Sequence, residues 1–416
     1  MLRHQGYSFR LRGLDDTQAR ALAEMDGQAR WLWNLFLRAD RVRRTEGGQP
    51  ATYAERSEAL TWLRSRPALA WLADGSAPAQ QTVLRNLAEA WAHFFAGLTK
   101  PPTFKKKGED SGFRWSGRQH ARLKQKHSRI KLPKLGWVRY RNSRWFEGEV
   151  INVAIRRVGR KWQMSIGTER EVVEPAKRSL RRRIGLDMGI ACHTATSDNR
   201  MLAGPNALRA EATKLRREQR KLSRRKKGSK RRLQQVYKVA RIHERIGAVR
   251  KNHLHKLTTA IAKSHGLVVI EDLRVANMSR SAKGTIDQPG RNVRAKAALN
   301  RRILDQGWGE MRRQLAYKLG WNGGALIAVP PANTSRRCSA CQHTDKASRP
   351  SQAIFICTAC GHEMNADTNA AKNILAMGYA MARAAGSSAD NAQGRIGHKP
   401  PVELRTLPKT KGIPVL

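Results

Sequence analysis

The chain has 416 residues, enough for roughly two to four domains of ordinary size. Its hydrophobic fraction is 40%, which excludes wholesale disorder because that many apolar residues can fill a core. Lysine and arginine number 81 against 32 acidic residues, so the formal net charge is +49. A compact protein with this charge repels itself unless a polyanion neutralises it. The composition therefore predicts a nucleic-acid partner rather than a membrane surface.

We expect neither a secretory signal nor a membrane span in this sequence. The N-terminus has no apolar signal core, and no run approaches the roughly 18 apolar residues of a membrane span. Four of the five cysteines form two Cys-x-x-Cys pairs, a pattern typical of metal binding in a reducing compartment. We therefore expect a cytoplasmic protein.

The first hundred residues predict a strand followed by helices. Residues 6–12, GYSFRLR, alternate in the manner of a strand, and Asp15 or Asp16 then caps a helix. Apolar residues at helical spacing predict further helices over Tyr53–Leu63 and Ala79–Leu98. Residues 14–100 are therefore expected to form a small helical bundle.

The sequence pattern changes at Pro101, and the pattern that follows predicts an all-β unit. The segment TKPPTFKKKGEDSGFRW is a linker whose Lys105, Lys106 and Lys107 are candidate nucleic-acid contacts. Short segments that alternate apolar and basic residues follow, separated by glycines, and predict a barrel-like unit over 110–172. One face of these strands is basic, as in many nucleic-acid-binding barrels.

Three acidic residues stand at the ends of apolar elements. Asp187 ends the strand IGLD, Glu271 ends the strand LVVIE, and Asp367 precedes the apolar helix TNAAKNIL. A carboxylate at the end of a buried strand needs a partner. The economical partner for three carboxylates is a divalent metal, and hard oxygen ligands suit Mg²⁺ or Mn²⁺. The pattern predicts a two-metal phosphodiester-cleaving site.

Between the first two acids lies a long basic helical segment, residues 205–260. From Arg209 to Arg232 it carries thirteen lysines and arginines against two glutamates. A solvated face is one interpretation, and phosphate binding across a groove is the other. The candidate phosphate contacts are Arg224, Arg225, Lys226, Lys227, Lys230 and Arg231. A single helix is expected further on, over 294–320.

The cysteine pairs predict a structural zinc site. Cys338 and Cys341 are followed after fifteen residues by Cys357 and Cys360, the spacing of a four-thiolate zinc ribbon. Four thiolates fill a tetrahedral ion, so we expect Zn²⁺ to brace the fold and His343 and His362 not to be ligands.

Other candidates rest on weaker signals. Asn369 and Asn373 lie one helical turn apart and are candidates to face the acidic site. Arg336 and Arg337 precede the first cysteine pair and are candidates to contact the scissile strand. Asp272 should point away from Glu271, since side chains alternate along a strand.

Five longer segments of the chain are distinctive: GLDMGI, VVIEDLRVANMS, PPANTSRRCSAC, IFICTACGHEMNADTNAAKNIL and KGSKRRLQQVYKVARIHERIGAVRKNHLHKLTTAIAK. Together they resemble the TnpB family, which comprises insertion-sequence nucleases formerly described as OrfB transposases and related to compact type V CRISPR effectors. The resemblance covers nearly the whole chain and is most specific over 181–378. One departure is Gln342, where the family usually has glycine.

The resemblance implies a multidomain α/β fold with a RuvC-type, RNase H-like nuclease core. An inserted zinc ribbon, an N-terminal helical recognition lobe and a β-barrel wedge domain would accompany this core. The implied boundaries are a wedge at 1–13 and 101–180, a lobe at 14–100, RuvC parts I and II at 181–332 with a helical insertion at 205–260, the ribbon at 333–363, RuvC part III at 364–384 and a flexible tail at 385–416.

The resemblance also implies a function. The chain would be an RNA-guided DNA endonuclease with Asp187, Glu271 and Asp367 as its acidic triad. A transposon-derived guide RNA would read double-stranded target DNA beside a short target-adjacent motif. We expect a prokaryotic protein, monomer or homodimer, associated with the nucleoid when bound to DNA. Two alternatives stay open: a nuclease-silent RNA-guided DNA-binding regulator, and a DNA transposase that uses the same triad.

Overall fold

The structure is a computed structural model that describes residues 1–108, 112–159 and 161–386. The chain forms two compact units, Met1–Glu174 and a second unit from Pro175 onward. The tail predicted over 385–416 lies outside the described residues, except that the last helix ends at Gly386. None of the helices in the described part of the chain is long and apolar enough to cross a membrane.

The first unit combines one antiparallel sheet with a helical bundle. Its seven strands follow the order β2-β6-β7-β1-β5-β4-β3, so the N-terminal strand lies between two strands from the second half of the unit. The elements are β1 (Leu2–Arg12), α1 (Asp16–Thr45), α2 (Tyr53–Arg64), α3 (Trp71–Asp74), α4 (Ala77–Phe95), β2 (Phe113–Ser116), β3 (Arg122–Lys124), β4 (Arg129–Leu132), β5 (Gly136–Tyr140), β6 (Glu149–Val158) and β7 (Lys161–Glu171).

Local signals explain where these helices begin. The Asp15 carboxylate accepts a hydrogen bond from the Gln18 amide at 2.7 Å and caps α1, which confirms one of the two predicted caps.

Inside the bundle, Arg56 pairs with Asp40 at 2.7 Å, and both side chains are almost fully buried. Because Asp40 also accepts from the Trp91 indole at 2.8 Å, this buried charge is compensated on two sides.

The second unit is built on a five-stranded mixed sheet in the order β10-β9-β8-β11-β12. A two-stranded ribbon, β13 with β14, lies outside this sheet. The elements are β8 (Arg183–Asp187), β9 (Thr194–Thr196), β10 (Met201–Leu202), α5 (Ala207–Ser223), α6 (Lys230–Ser264), β11 (Leu267–Glu271), α7 (Val275–Met278), α8 (Val293–Gln306), α9 (Trp308–Trp321), β12 (Ala325–Val329), β13 (Ile354–Ile356), β14 (Glu363–Asn365) and α10 (Ala366–Gly386).

Helices cover both faces of this sheet. Strand β11 pairs in parallel with β8 on one side and β12 on the other, and all five of its residues are buried. Val268 and Ile270 pack into the cluster that includes α6 and α9, whereas Leu267 and Val269 pack against α10. This three-layer arrangement is the usual way to bury a parallel sheet, and it confirms a mixed α/β fold.

Helix α10 lies very close to the sheet because a glycine of the sheet faces the helix and a glycine of the helix faces the sheet. A Cβ atom added to Gly185 on β8 would lie 2.2 Å from the Ala371 carbonyl oxygen. One added to Gly378 on α10 would lie 2.3 Å from a Val269 methyl. The two glycines therefore permit a helix–sheet distance that no larger residue would allow.

The prediction of a single helix over 294–320 is wrong, because the structure has two helices there, α8 and α9. Gly307 separates α8 from α9 with a φ of 71°, in the left-handed region that breaks a helix. A Cβ there would also lie 3.0 Å from a Leu254 methyl of α6. The apolar spacing continues through the break, which is why periodicity alone predicts one element.

Candidate active site and metal centre

The three predicted acids line one cavity of about 280 Å³. Asp187 and Glu271 end neighbouring parallel strands whose register pairs Leu186 with Ile270, so the two acids stand side by side. Alternation places both on the face of the sheet that α10 covers, together with Gly185 and Val269. Asp367 joins them from the first turn of α10.

The environment of the cavity raises the pKa of two of its carboxyl groups. Burial, followed by the charges of Glu271 and Asp367, raises the pKa of Asp187 to about 7. Burial also raises the pKa of Glu271, and a hydrogen bond from Thr334 opposes that shift. Like charges held together at low dielectric disfavour ionisation, so the site favours any cation that can sit among the three groups.

One cationic side chain, Arg349, lines the same cavity. It lies in the loop between the two cysteine pairs and donates from Nη2 to Asp367 Oδ1 at 3.2 Å and to the Gln352 carbonyl at 3.0 Å. Its charge lowers the pKa of Asp187, although less than burial raises it. Sequence reasoning missed Arg349, because it lies in an irregular loop that carries no periodic or spacing signal.

The donor set fits a divalent cation that prefers oxygen. Three carboxylates from separate elements converge on one cavity, and a single guanidinium offsets only part of their charge. Thr334 and Ser335 add hydroxyl groups to the lining. Oxygen ligands in this number suit Mg²⁺ or Mn²⁺ better than a softer ion.

Asp272 behaves differently from its neighbour Glu271. Its side chain is exposed and pairs with Arg312, away from the cavity. Glu271 is 8% exposed and accepts from the Thr334 hydroxyl at 2.6 Å. The prediction that the two adjacent acids point in different directions is therefore confirmed.

The four paired cysteines form a second candidate centre. Their sulfur atoms all lie within 4.8 Å of one another, an arrangement compatible with one tetrahedral zinc ion. Each pair folds the same way: Cys338 N bonds to the His343 carbonyl at 2.8 Å, and Cys357 N bonds to the His362 carbonyl at 2.9 Å. The two histidines thus contribute backbone atoms to the turns, and neither joins the cysteine cluster.

Asn369 and Asn373, the two candidates for the acidic site on α10, do not line its cavity. The Asn369 amide donates to the Arg337 carbonyl at 2.7 Å and accepts from the Ser339 amide at 2.9 Å. Asn373 donates to the Arg337 carbonyl at 2.6 Å and to the Thr334 carbonyl at 3.0 Å. Both side chains hold the segment before the first cysteine pair onto α10.

Comparison of the sequence with known proteins identifies the family to which the chain belongs. The chain is 43% identical, over 92% of its length and 94% of the relative's, to the "Putative RNA-guided DNA endonuclease InsQ" of Escherichia coli strain K12. A family model described as "Probable transposase", OrfB_IS605, matches residues 164–282. The chain belongs to the TnpB family. A second model, the TNB domain of Cas12f1-like proteins, matches residues 308–374 of this TnpB chain.

Two further comparisons connect this TnpB chain with compact CRISPR effectors. The "CRISPR-associated endodeoxyribonuclease Cas12f1" of Sulfoacidibacillus thermotolerans is 46% identical over 65 residues, or 16% of this chain and 15% of that protein. The cryo-EM structure of a Cas12f1–sgRNA–target DNA complex superimposes with a TM-score of 0.51 and 16% identity. That superposition covers 86% of this chain and 82% of the other, and it shows a shared fold.

The predicted basic contacts lie on two surfaces of this TnpB chain. Those of the second unit are exposed at the end of α5, in the following turn and at the start of α6: Arg224, Arg225, Lys226, Lys227, Lys230 and Arg231. In the first unit, Lys106 and Lys107 are exposed. Lys105 is half-buried, with its ammonium 4.2 Å from the centre of the Trp33 ring.

The two arginines before the first cysteine pair differ in exposure. Arg336 is exposed, and Arg337 is half-buried and forms a β-bridge with Thr344. Neither lines the acidic cavity, where Arg349 is the arginine present among the described residues. Their predicted contact with a scissile strand stays a prediction.

Proposed function

We propose that this chain is an RNA-guided DNA endonuclease that hydrolyses DNA phosphodiester bonds. Its catalytic residues would be Asp187, Glu271 and Asp367, within a RuvC-type, RNase H-like core. The observation that carries the proposal is the convergence of these acids, from two parallel strand ends and a helix start, on one cavity. The name of the relative InsQ and the family membership support guided DNA cleavage.

The chain's own residues have defined tasks in this reaction. Mg²⁺ or Mn²⁺ at such a site supplies Lewis-acid stabilisation of a phosphoryl oxygen and a water of lowered pKa. Asp187, Glu271 and Asp367 would hold the ion through their oxygens. Thr334 holds the Glu271 carboxylate, and Arg349 offers a cation that lines the same cavity and would be available to a phosphate group.

The partners proposed are a guide RNA and double-stranded target DNA. The Cas12f1 complex that shares this fold contains an sgRNA and target DNA. A net charge of +49 supports a large polyanionic partner, and the exposed basic turn between α5 and α6 offers phosphate contacts. RNA pairing would read the target sequence, and the protein would read shape and a short target-adjacent motif.

We also propose roles for the remaining parts. Residues 1–13 and 101–180 would form a barrel-like wedge and residues 14–100 a recognition lobe. In support, β1 lies inside the seven-stranded sheet of the first unit, and α1, α2 and α4 pack together and against that sheet in one hydrophobic core. Residues 333–363 would hold a structural Zn²⁺ through Cys338, Cys341, Cys357 and Cys360, as the sulfur cluster supports.

The first experiment expresses the protein with its flanking DNA, purifies it and sequences the bound RNA. A discrete RNA species is expected, and its absence would refute guided action. The complex is then incubated with Mg²⁺ and a matching DNA target. We expect a double-strand break, whereas bound but intact DNA would indicate the regulator and joined strands would indicate the transposase.

Glu271→Gln tests the catalytic assignment, with Asp272→Asn as the matched control. Both substitutions neutralise an acid, but only Glu271 lines the cavity. Loss of a catalytic carboxylate should reduce the cleavage rate by about 10³-fold or more. Asp272→Asn removes an exposed ion pair, worth about 0–1 kcal/mol, and should leave cleavage near the wild-type rate. Equal rates for the two variants would remove the triad assignment.

A further inference from the structure

Thr334 is a buried threonine that contacts an acidic-site residue from outside the sheet. It lies between β12 and the first cysteine pair, and it is 3% exposed. Its hydroxyl donates to Glu271 Oε1 at 2.6 Å, a short bond typical of a hydroxyl that donates to a carboxylate. The bond fixes one of the two carboxylate oxygens of Glu271, a residue that lines the acidic cavity.

The backbone around Thr334 is itself held by α10. Asn373 donates to the Thr334 carbonyl at 3.0 Å, and both residues are 3% exposed. The backbone turns immediately before Thr334, where Asn333 has a φ of 61° and its carbonyl accepts from the Arg336 amide. Because the buried Asn373 amide holds the Thr334 backbone, the Thr334 side chain has little freedom to follow Glu271 if that carboxylate rotates.

The same helix also fixes the first cysteine pair. Asn369, which is fully buried, accepts from the amide of Ser339, the residue after Cys338. Asp367 lies half a turn before Asn369 on α10. The helix that carries one acid thus anchors the segment that orients another.

We propose that Thr334 is a positioning residue that fixes the Glu271 carboxylate for divalent-metal binding, and that α10 holds it in place through Asn373. This inference rests on the proposed function, because it concerns the same acidic site. Residues that orient a metal-binding carboxylate typically contribute about 10–100-fold in metal affinity. A purely structural threonine would affect folding stability and leave the metal affinity of the folded protein unchanged.

The test compares Thr334→Val, which keeps the shape and removes the donor, with Thr334→Ser, which keeps the hydroxyl. Thr358→Val is the matched control, because Thr358 donates to the Asp345 carboxylate at 2.8 Å elsewhere in the ribbon. Mn²⁺ binding to the zinc-loaded full-length chain, free of nucleic acid, is measured by electron paramagnetic resonance of free Mn²⁺. Thermal unfolding is followed in parallel.

We expect Thr334→Val to raise the Mn²⁺ dissociation constant about 10–100-fold. Thr334→Ser and Thr358→Val should stay within about threefold of wild type, since a threefold change is well below that range. Wild-type affinity in folded Thr334→Val would overturn the proposal, as would a loss in Thr334→Ser equal to that in Thr334→Val. If Thr334→Val does not fold, Thr334→Cys, with its weaker S–H donor, decides in the same way.

The measurement separates this proposal from the proposed function. Mn²⁺ binding needs neither guide RNA nor target DNA. An absence of guided cleavage would therefore refute the proposed function, and the Mn²⁺ affinities of the variants would still test the role of Thr334. A wild-type protein that cleaves, paired with a Thr334→Val variant that binds Mn²⁺ normally, would refute the positioning role alone. Mn²⁺ binding that survives Glu271→Gln unchanged would also refute it, because the ion would then lie elsewhere.

Discussion

Gly185 lies on β8 two residues before Asp187, directly beneath helix α10. A Cβ atom there would lie 2.2 Å from the Ala371 carbonyl oxygen and 2.8 Å from the Leu375 amide nitrogen, both backbone atoms of the helix. Ordinary contact begins at 3.4 Å, and a helix backbone cannot rotate away as a side chain can. Gly185→Ala should therefore push α10 and β8 apart by about 1 Å, the scale of strain that costs about 1–3 kcal/mol in a packed core.

The displacement would act directly on the acidic site, because Asp367 begins α10 and Asp187 ends β8. A misplacement of about 1 Å can cost roughly 10²-fold in rate. Urea unfolding should report the stability loss, and target cleavage at saturating Mg²⁺ should report the rate loss. Gly6→Ala on β1 is the control, since nothing lies within 4 Å of its added Cβ.

The reasoning fails if Gly185→Ala unfolds at the same urea concentration as wild type and cleaves at the same rate. It also fails if Gly6→Ala is equally destabilised, because the effect would then be a general property of strand glycines. Loss of stability with full cleavage would refute the coupling between helix position and the acids.

Three further substitutions test the charges and the zinc site. Arg349→Gln removes the cation beside Asp367, so Mn²⁺ affinity without nucleic acid should rise about fivefold, the equivalent of about 1 kcal/mol for one charge at about 4 Å in water. Cys341→Ser should lower the zinc content below one ion per chain and expose the ribbon to protease, because the tetrahedral set loses a ligand. Arg56→Leu should lower the free energy of unfolding by about 3–5 kcal/mol, since Asp40 stays buried without its cation.

Each has a control within the chain. Arg349→Lys keeps the charge and should bind Mn²⁺ like wild type, and weaker binding by Arg349→Gln would contradict the competition. Cys192 lies outside the cysteine cluster, so the Cys192→Ser variant should keep one zinc ion per chain. The wild-type protein should also keep its zinc after mild dialysis. Arg43→Leu breaks an exposed pair and should cost only about 0–1 kcal/mol in urea unfolding. An equal cost for Arg56→Leu would contradict the burial argument.

Features that repeat or stand at the ends of elements were predictable from the sequence. An apolar strand that ends in an acid identifies both the strand and the residue at its carboxyl end. Because the carboxyl ends of neighbouring parallel strands lie side by side, this pattern predicted that Asp187 and Glu271 would be close together. The cysteine spacing predicted four convergent sulfurs for a related reason, since each pair must form one tight turn. Helix starts were also predictable where a side chain caps the backbone, as at Asp15.

Contacts between distant segments escaped prediction. Asn369 and Asn373 lie on the same helix as Asp367, but their amides bond to backbone carbonyls that no spacing rule identifies. Arg349 and Thr334 approach the acids only through the folding of irregular loops. Gly307 breaks a helix whose apolar period continues unchanged through it.

Gln342 shows how a family departure can be read physically. It has a φ of 68°, and Gly361, its equivalent in the second cysteine turn, has a φ of 69°. Both residues therefore adopt the left-handed conformation that favours glycine. The sequence flagged the substitution, but only the backbone angles show that it places mild strain in the first turn.

The separation of the three acids along the chain has a consequence for protein synthesis. Asp367 is made 180 positions after Asp187, so at roughly 5–20 residues per second the ribosome needs about 10–35 s to supply it. During that interval β8 and β11 lack the helix that covers one face of their sheet. The basic segments before Asp367 are therefore synthesised well before the chain possesses all three carboxylates, so the acidic site is completed last.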